Sequence, residues 1–252
     1  MTRARQATDD SASDAERVAT AKSTLRAAMR AAVAAIPPAR AAWRARRIEA
    51  LALQSPLLAG TGLVLAYRAL PDEIDIAPVV ARLASRSVRI AFPSVDARRG
   101  LQLIEPADLA DDSAWTRDRF GVAAPRADAR GARIVQPREL DAVLVPGRAF
   151  SRDGARLGRG KGFYDALLAR LRPDARRATL GVCHREQLVD AVPEAAHDRR
   201  VAAVVSDAGL VACLAALART RRTDDGSAHD SGSARGGGAD SGPLAADPEE
   251  TR

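Results

Sequence analysis

Val145-Pro-Gly-Arg-Ala-Phe-Ser-Arg-Asp-Gly-Ala-Arg-Leu-Gly-Arg-Gly-Lys-Gly-Phe-Tyr-Asp165 is the most informative stretch of this chain. It starts where a short apolar run, 142–145, ends, and it stops where a helical pattern, 165–171, begins. A short apolar run between turn residues reads as a buried strand, and a strand leading through a loop into a helix is the building unit of α/β layered folds. Inside the loop, Gly158, Gly160 and Gly162 alternate with Arg159 and Lys161. Glycines let backbone N–H groups close on an anion, the helix start adds partial positive charge, and Arg156, Arg159 and Lys161 add full charges. These are the ingredients of a phosphate cradle. The loop is not a Walker A motif, because Phe163 follows Gly162 and no hydroxyl follows Lys161. On composition alone, a mobile basic surface loop accounts for the same residues, and Asp165 reads as a helix cap.

Further apolar runs lie on both sides, at 63–67, 88–92, 101–104, 179–182 and 201–205. Helical patterns fall between some of them, at 76–83 and 165–171. Upstream, Val18, Lys22, Leu25, Arg26, Met29 and Val33 recur at helix spacing until Pro37 and Pro38 stop them. A second helix is expected over 39–53 with Trp43, Ile48 and Leu51 inward. Strands alternating with helices predict one α/β domain over 17–218, a central sheet with helices packed on it. Residues 1–16 and the Gly-, Ser- and Asp-rich stretch 219–252 hold too little apolar surface to order themselves and are expected to be disordered.

The 252 residues carry a net charge of +7, and residues 1–218 alone carry +9. The arginines are scattered, and aromatics make up only 3% of the chain, so few rings are available to stack bases. The charge therefore suits an anionic small ligand and argues against a nucleic-acid partner. No apolar run approaches the roughly 18 residues of a membrane helix, and the polar start has no secretory pattern. Two cysteines, Cys183 and Cys213, make neither a disulfide framework nor a four-ligand zinc site. A cytoplasmic location without membrane contact is expected. Only two of the 39 basic residues are lysines, Lys22 and Lys161, which suggests positions where a compact ammonium matters.

The segment Arg156-Leu-Gly-Arg-Gly-Lys-Gly-Phe-Tyr-Asp165, with Val145-Pro-Gly-Arg-Ala-Phe150 and Gly154 before it, closely resembles the signature of 5-formyltetrahydrofolate cyclo-ligases. Flanking segments fall in the matching order over residues 20–207: Lys22 with Arg26, Pro71-Asp-Glu-Ile-Asp75, Phe120-Gly-Val122 with Pro125, Gln187-Leu188, Pro193, and His197-Asp198. The resemblance implies a Rossmann-like three-layer fold similar to sugar-phosphate isomerases and CoA transferases. It implies ATP contacts from Lys22, Arg26, Arg156, Leu157, Gly158, Arg159, Gly160, Lys161, Gly162, Phe163 and Tyr164. Folate contacts are implied for Leu70, Asp75, Phe120 and Tyr164, and magnesium ligation for Asp165 and Asp198. Glu73 reads as an exposed turn acid near that pocket, and His184 and His197 read as structural.

The implied reaction is ATP-dependent closure of 5-formyltetrahydrofolate, with or without a polyglutamate tail, to the 5,10-methenyl form by a monomeric enzyme. Ile76, Ala124 and Ser151 stand where many members of the family carry Thr, Glu and Asp. Two other readings compete: a small-molecule kinase, and a basic nucleotide- or nucleic-acid-binding module.

Overall fold

The computed structural model describes residues 2–96, 100–118 and 121–213, with side chains from Asp14 onward. Among the described residues there are five α-helices: α1 (Thr2–Ala34), α2 (Pro38–Leu53), α3 (Ala77–Ala84), α4 (Phe163–Ala169) and α5 (Pro173–Arg177). The first strands are β1 (Leu63–Leu65), β2 (Arg89–Asp96), β3 (Gly100–Glu105), β4 (Trp115–Arg117), β5 (Ala123–Pro125) and β6 (Arg133–Val135). They are followed by β7 (Ala142–Pro146), β8 (Ala149–Ser151), β9 (Arg156–Leu157), β10 (Thr179–Val182), β11 (Leu188–Val189), β12 (Ala203–Ser206) and β13 (Gly209–Ala212).

The main sheet has the order β13-β12-β10-β7-β1-β2-β3-β6. Its centre, β12-β10-β7-β1-β2, is parallel. β13 on one side, and β3 and β6 on the other, run antiparallel to their neighbours. Each of the six apolar runs holds a strand of this sheet, and the α/β class is as the sequence predicts.

Both faces are covered, because alternate side chains of each central strand go to opposite cores. Val64, Ala142 and Leu144 join Ile48 of α2 and Val79 and Leu83 of α3. Leu63, Leu65, Val143 and Val145 join Leu167 and Leu168 of α4 and Ala175 of α5. A small second sheet, β11-β8-β9, carries a third cluster against Leu25 and Met29 of α1.

Helical backbone runs from Thr2 to Ala34. No glycine or proline interrupts residues 2–34, so nothing in the sequence stops the helix earlier. One expectation needs correction. Trp43 is not inward but 48% exposed. The buried stripe of α2 is Arg44, Ile48 and Ala52, spaced by four. Arg44 is drawn in by a bidentate pair with Glu186 at 2.6 and 2.8 Å and by Asp207 at 3.3 Å. Trp43 is left on the rim, with the Arg47 guanidinium 5.9 Å from its ring centre.

The chain leaves β1 toward β2 on one side, and β7, β10 and β12 fill the other. The order therefore reverses between β1 and β7, and open α/β sheets bind ligands beyond the carboxyl ends of strands at such a point. The segments that follow β1 and β7 at this reversal are residues 66–76 and 147–162, the second of them carrying β8 and β9.

Candidate active site

The loop after β7 is fixed from below. Gln187 Nε2 donates to the carbonyls of Gly147 at 3.2 Å and Arg148 at 3.0 Å. Further on, the turn crowds its own cations. A Cβ at Gly158 would stand 2.7 Å from Arg156 Nη1, so any larger residue there would push the Arg156 guanidinium aside. Gly160 has φ +92°, which favours glycine, with the Arg26 guanidinium 3.5 Å from where its Cβ would stand.

Helix α1 reaches this turn through one face. Lys22 and Arg26 are one turn apart, as their spacing predicts. Arg26 Nε donates to the Gly158 carbonyl at 2.9 Å, and Lys22 Nζ lies 2.5 Å from Asp198 Oδ2. Arg156 Nη2 lies 2.9 Å from Asp165 Oδ1, which also accepts from the Arg199 backbone N–H at 3.2 Å. The two acids expected to pair thus share one corner: Asp165 is bonded to the residue next to Asp198.

Asp165 is not the helix cap. That place belongs to Gly162, and Asp165 sits in the first turn of α4. Burial pushes the Asp198 carboxyl up, but the Ala195 N–H and the Lys22 ammonium outweigh it and hold it below its ordinary value.

The loop after β1 supplies the second wall. Arg159 Nε donates to Glu73 Oε1 at 3.0 Å and its Nη2 to Asp72; Glu73 Oε2 accepts the Leu70 N–H at 3.1 Å. Glu73 is therefore not an exposed turn acid. Its side chain is 9% exposed, because the Arg159 guanidinium closes over it. Tyr164 stands behind, with the Arg156 guanidinium 5.7 Å from its ring centre. Its hydroxyl is buried without a hydrogen-bond partner, and burial pushes its pKa up.

Beside this wall lies a cavity of about 220 Å³ lined by Tyr67, Arg68, Asp75, Val80, Phe92 and Leu109. Asp75 Oδ1 also accepts the Ala77 N–H at 2.9 Å, which starts α3. Leu70 does not line the cavity; it meets the site through its N–H on Glu73. Phe120 lies outside the described residues.

The sequence reading missed Arg68, Phe92 and Trp115. The Arg68 guanidinium sits 4.1 Å from the Trp115 ring centre and 5.3 Å from that of Phe92, and the two rings meet edge to face at 5.1 Å. Arg68 Nε and Trp115 Nε1 are buried donors without partners. No periodicity joins residues 68, 92 and 115, so only the fold reveals this aromatic cage.

Lys22, Arg26, the 156–165 loop and Asp198 therefore meet in one place, next to an aromatic cavity. Cations alternate with carboxylates, glycines open the backbone, and the position is the switch point of a mostly parallel sheet. That combination defines an α/β protein with a cationic, glycine-rich loop beside an aromatic cavity at the switch point of its sheet.

A sequence profile described as the 5-formyltetrahydrofolate cyclo-ligase family matches residues 18–207, and the chain belongs to that family. The 5-formyltetrahydrofolate cyclo-ligase of Mus musculus is 39% identical over 64 residues, covering 25% of this chain and 32% of the relative. That of Mycolicibacterium smegmatis is 43% identical over 60 residues, covering 24% and 30%. The chain thus spans about a third of the length of these curated relatives. A solved structure, the 5,10-methenyltetrahydrofolate synthetase of Aquifex aeolicus, has the same fold. Its TM-score is 0.65 at 24% identity, over 76% of this chain and 92% of that one. Among the described residues, no helix is long and apolar enough to cross a membrane.

Proposed function

We propose that the protein closes 5-formyltetrahydrofolate to 5,10-methenyltetrahydrofolate with ATP, releasing ADP and phosphate. The observation that carries this reading is the meeting of Lys22, Arg26, Arg156 and Asp165 with Asp198, from segments as far as 176 residues apart, around the glycine-rich loop. Such a loop beside a cavity with an aromatic floor provides for both halves of the reaction, a polyphosphate and a flat pterin.

Phosphoryl transfer asks a protein for position and charge neutralisation more than for proton machinery. Arg156, Arg159, Lys161, Lys22 and Arg26 neutralise polyphosphate oxygens, and the 158–162 backbone closes on them, with Leu157 and Phe163 holding the two ends of the loop. Tyr164 offers its unpartnered hydroxyl where the two ligands meet. The pterin lies in the Tyr67–Phe92 cavity, where Arg68 supplies a free donor and Asp75 an acceptor; Leu70 is a further folate contact, and Phe120, outside the described residues, is proposed for the same ligand.

The formyl oxygen attacks the γ-phosphorus and ADP leaves, giving a phosphorylated formyl group on N5. N10 then attacks that carbon and loses its proton, and the C–O bond breaks to release phosphate. Asp165 and Asp198 are two oxygen-donor acids at one corner, a set that suits Mg²⁺, which when bound supplies further neutralisation of phosphate charge.

The protein works as a monomer in the cytoplasm, and the net +9 of residues 1–218 also favours polyglutamylated folates. Phosphate release tests the reading. Phosphate is expected from ATP only when 5-formyltetrahydrofolate is present, in equal amount to the methenyl product. Transfer of the phosphoryl group to a stable product would instead identify a kinase and contradict it.

A further inference from the structure

Arg148 and Asp72 have no part in the reaction as described, yet both are tied to Arg159. Arg148 follows β7 and is 7% exposed. Its Nη1 donates to Asp72 Oδ2, while Asp72 Oδ1 accepts from Arg159 Nη2. One carboxylate is thus shared by two guanidiniums, one buried and one on the loop. The buried one is anchored, since Gln187 holds the backbone on either side of it at the Gly147 and Arg148 carbonyls. The loop cation is the more exposed of the two, at 35% of its side chain against 8%.

Arg159 commits Nη2 to Asp72, so it can turn that donor to a polyphosphate only by leaving Asp72. Were Arg159 its sole partner, that move would strand a carboxylate whose side chain is only 27% exposed, and an unpaired charge in such a place is unfavourable. Arg148 cannot follow, because its backbone is fixed and its side chain enclosed. It therefore keeps Asp72 paired while Arg159 turns away. Burial pushes the Asp72 carboxyl up, but Arg159 and Arg148 outweigh it and hold it below the usual range, consistent with a carboxylate that stays charged.

We propose that Arg148 is a positioning residue: it holds Asp72 in place so that Arg159 can be exchanged from Asp72 to the incoming polyphosphate without stranding that carboxylate. This rests on the ATP reading above. Before nucleotide arrives, the Arg148–Asp72–Arg159–Glu73 series links the sheet, the 70–73 turn and the phosphate loop, and it keeps Arg159 oriented.

The test is calorimetric titration of the full chain with a non-hydrolysable ATP analogue, for wild type, Arg148→Leu, Asp72→Asn, the double variant and Arg148→Lys. Arg148→Leu is expected to weaken binding about tenfold, a coupling in the range of contacting charged groups. Asp72→Asn is expected to bind at least as tightly as wild type, since it releases Arg159. The double variant is expected to match Asp72→Asn, because no carboxylate is left to strand, and Arg148→Lys to stay near wild type.

A merely structural Arg148 would not be rescued by removing Asp72. A double variant as weak as Arg148→Leu, or an Arg148→Leu that binds like wild type, overturns the inference while leaving the ATP reading intact. Should Arg148→Leu not fold, Asp72→Asn still decides, since a tenfold loss there overturns the inference. A wild-type chain that binds no analogue overturns both.

Discussion

Lys22 of the first long helix lies 2.5 Å from Asp198, 176 residues later, and both side chains are nearly enclosed, at 12% and 10% exposure. This pair brings the two ends of the matched region together over the glycine-rich loop. Each carries a charge that the other neutralises. Lys22→Met leaves the Asp198 carboxylate without its ammonium and the polyphosphate without one of its cations. It should lower kcat/KM for ATP by about 10²-fold, the scale for one lost charge-stabilising group. Steady-state kinetics with ATP varied checks this, and a KM and kcat equal to wild type would remove Lys22 from the site.

Lys161 stands exposed on the same loop and contributes nothing to either core. Lys161→Ala should therefore leave the protein folded while turnover falls by about 10²–10³-fold. Normal turnover in the folded variant would contradict the phosphate clamp.

Asp165 pairs with Arg156, whose side chain is 3% exposed. Asp165→Asn removes one acidic donor from the corner shared with Asp198. The magnesium concentration for half-maximal rate should rise at least about tenfold. An unchanged magnesium titration would place the metal elsewhere.

The phase of α2 can be tested by stability alone. Ile48 is fully buried, so Ile48→Ala should destabilise by about 2–5 kcal/mol. Trp43→Ala, on the exposed side, should stay within about 0.5 kcal/mol. Urea unfolding of the two variants separates this phase from one that turns the tryptophan inward.

His184 is buried, with Nδ1 unpartnered, among Arg44, Glu186 and Asp207. Burial, then Arg44, lowers its pKa, and the two acids only partly oppose this. The unfolded chain therefore takes up the imidazole proton at a higher pH than the folded one. Stability should begin to fall as pH drops through about 6.5, the unfolded value, and go on falling until the lower folded value is passed. The carboxylates of Asp72, Asp198 and Asp207, all lowered in the fold, add their own loss only as pH falls below about 4. Thermal midpoints from pH 7.5 to 5 should decline in the wild type and stay level in His184→Gln.

Strands and site were not equally visible in the sequence. The central strands announce themselves because each is a continuous run of buried aliphatic side chains between turns. Lys22 and Arg26 show their common face through helix spacing. Strands of two or three residues, such as β9 and β11, are too short for any period to register. Trp43 reads as inward because it is large and apolar, whereas the fold prefers a paired Arg44 in that stripe. Arg68 over Trp115, and Arg148 against Asp72, are contacts between distant segments that tertiary packing alone creates.

The most direct measurement follows absorbance of the methenyl product from 5-formyltetrahydrofolate with ATP and magnesium, with and without the nucleotide. Product that forms at a catalytic rate and stops when ATP is omitted is the predicted result. Folded protein that binds ATP yet forms no product would contradict the folate reaction and leave only the phosphate site.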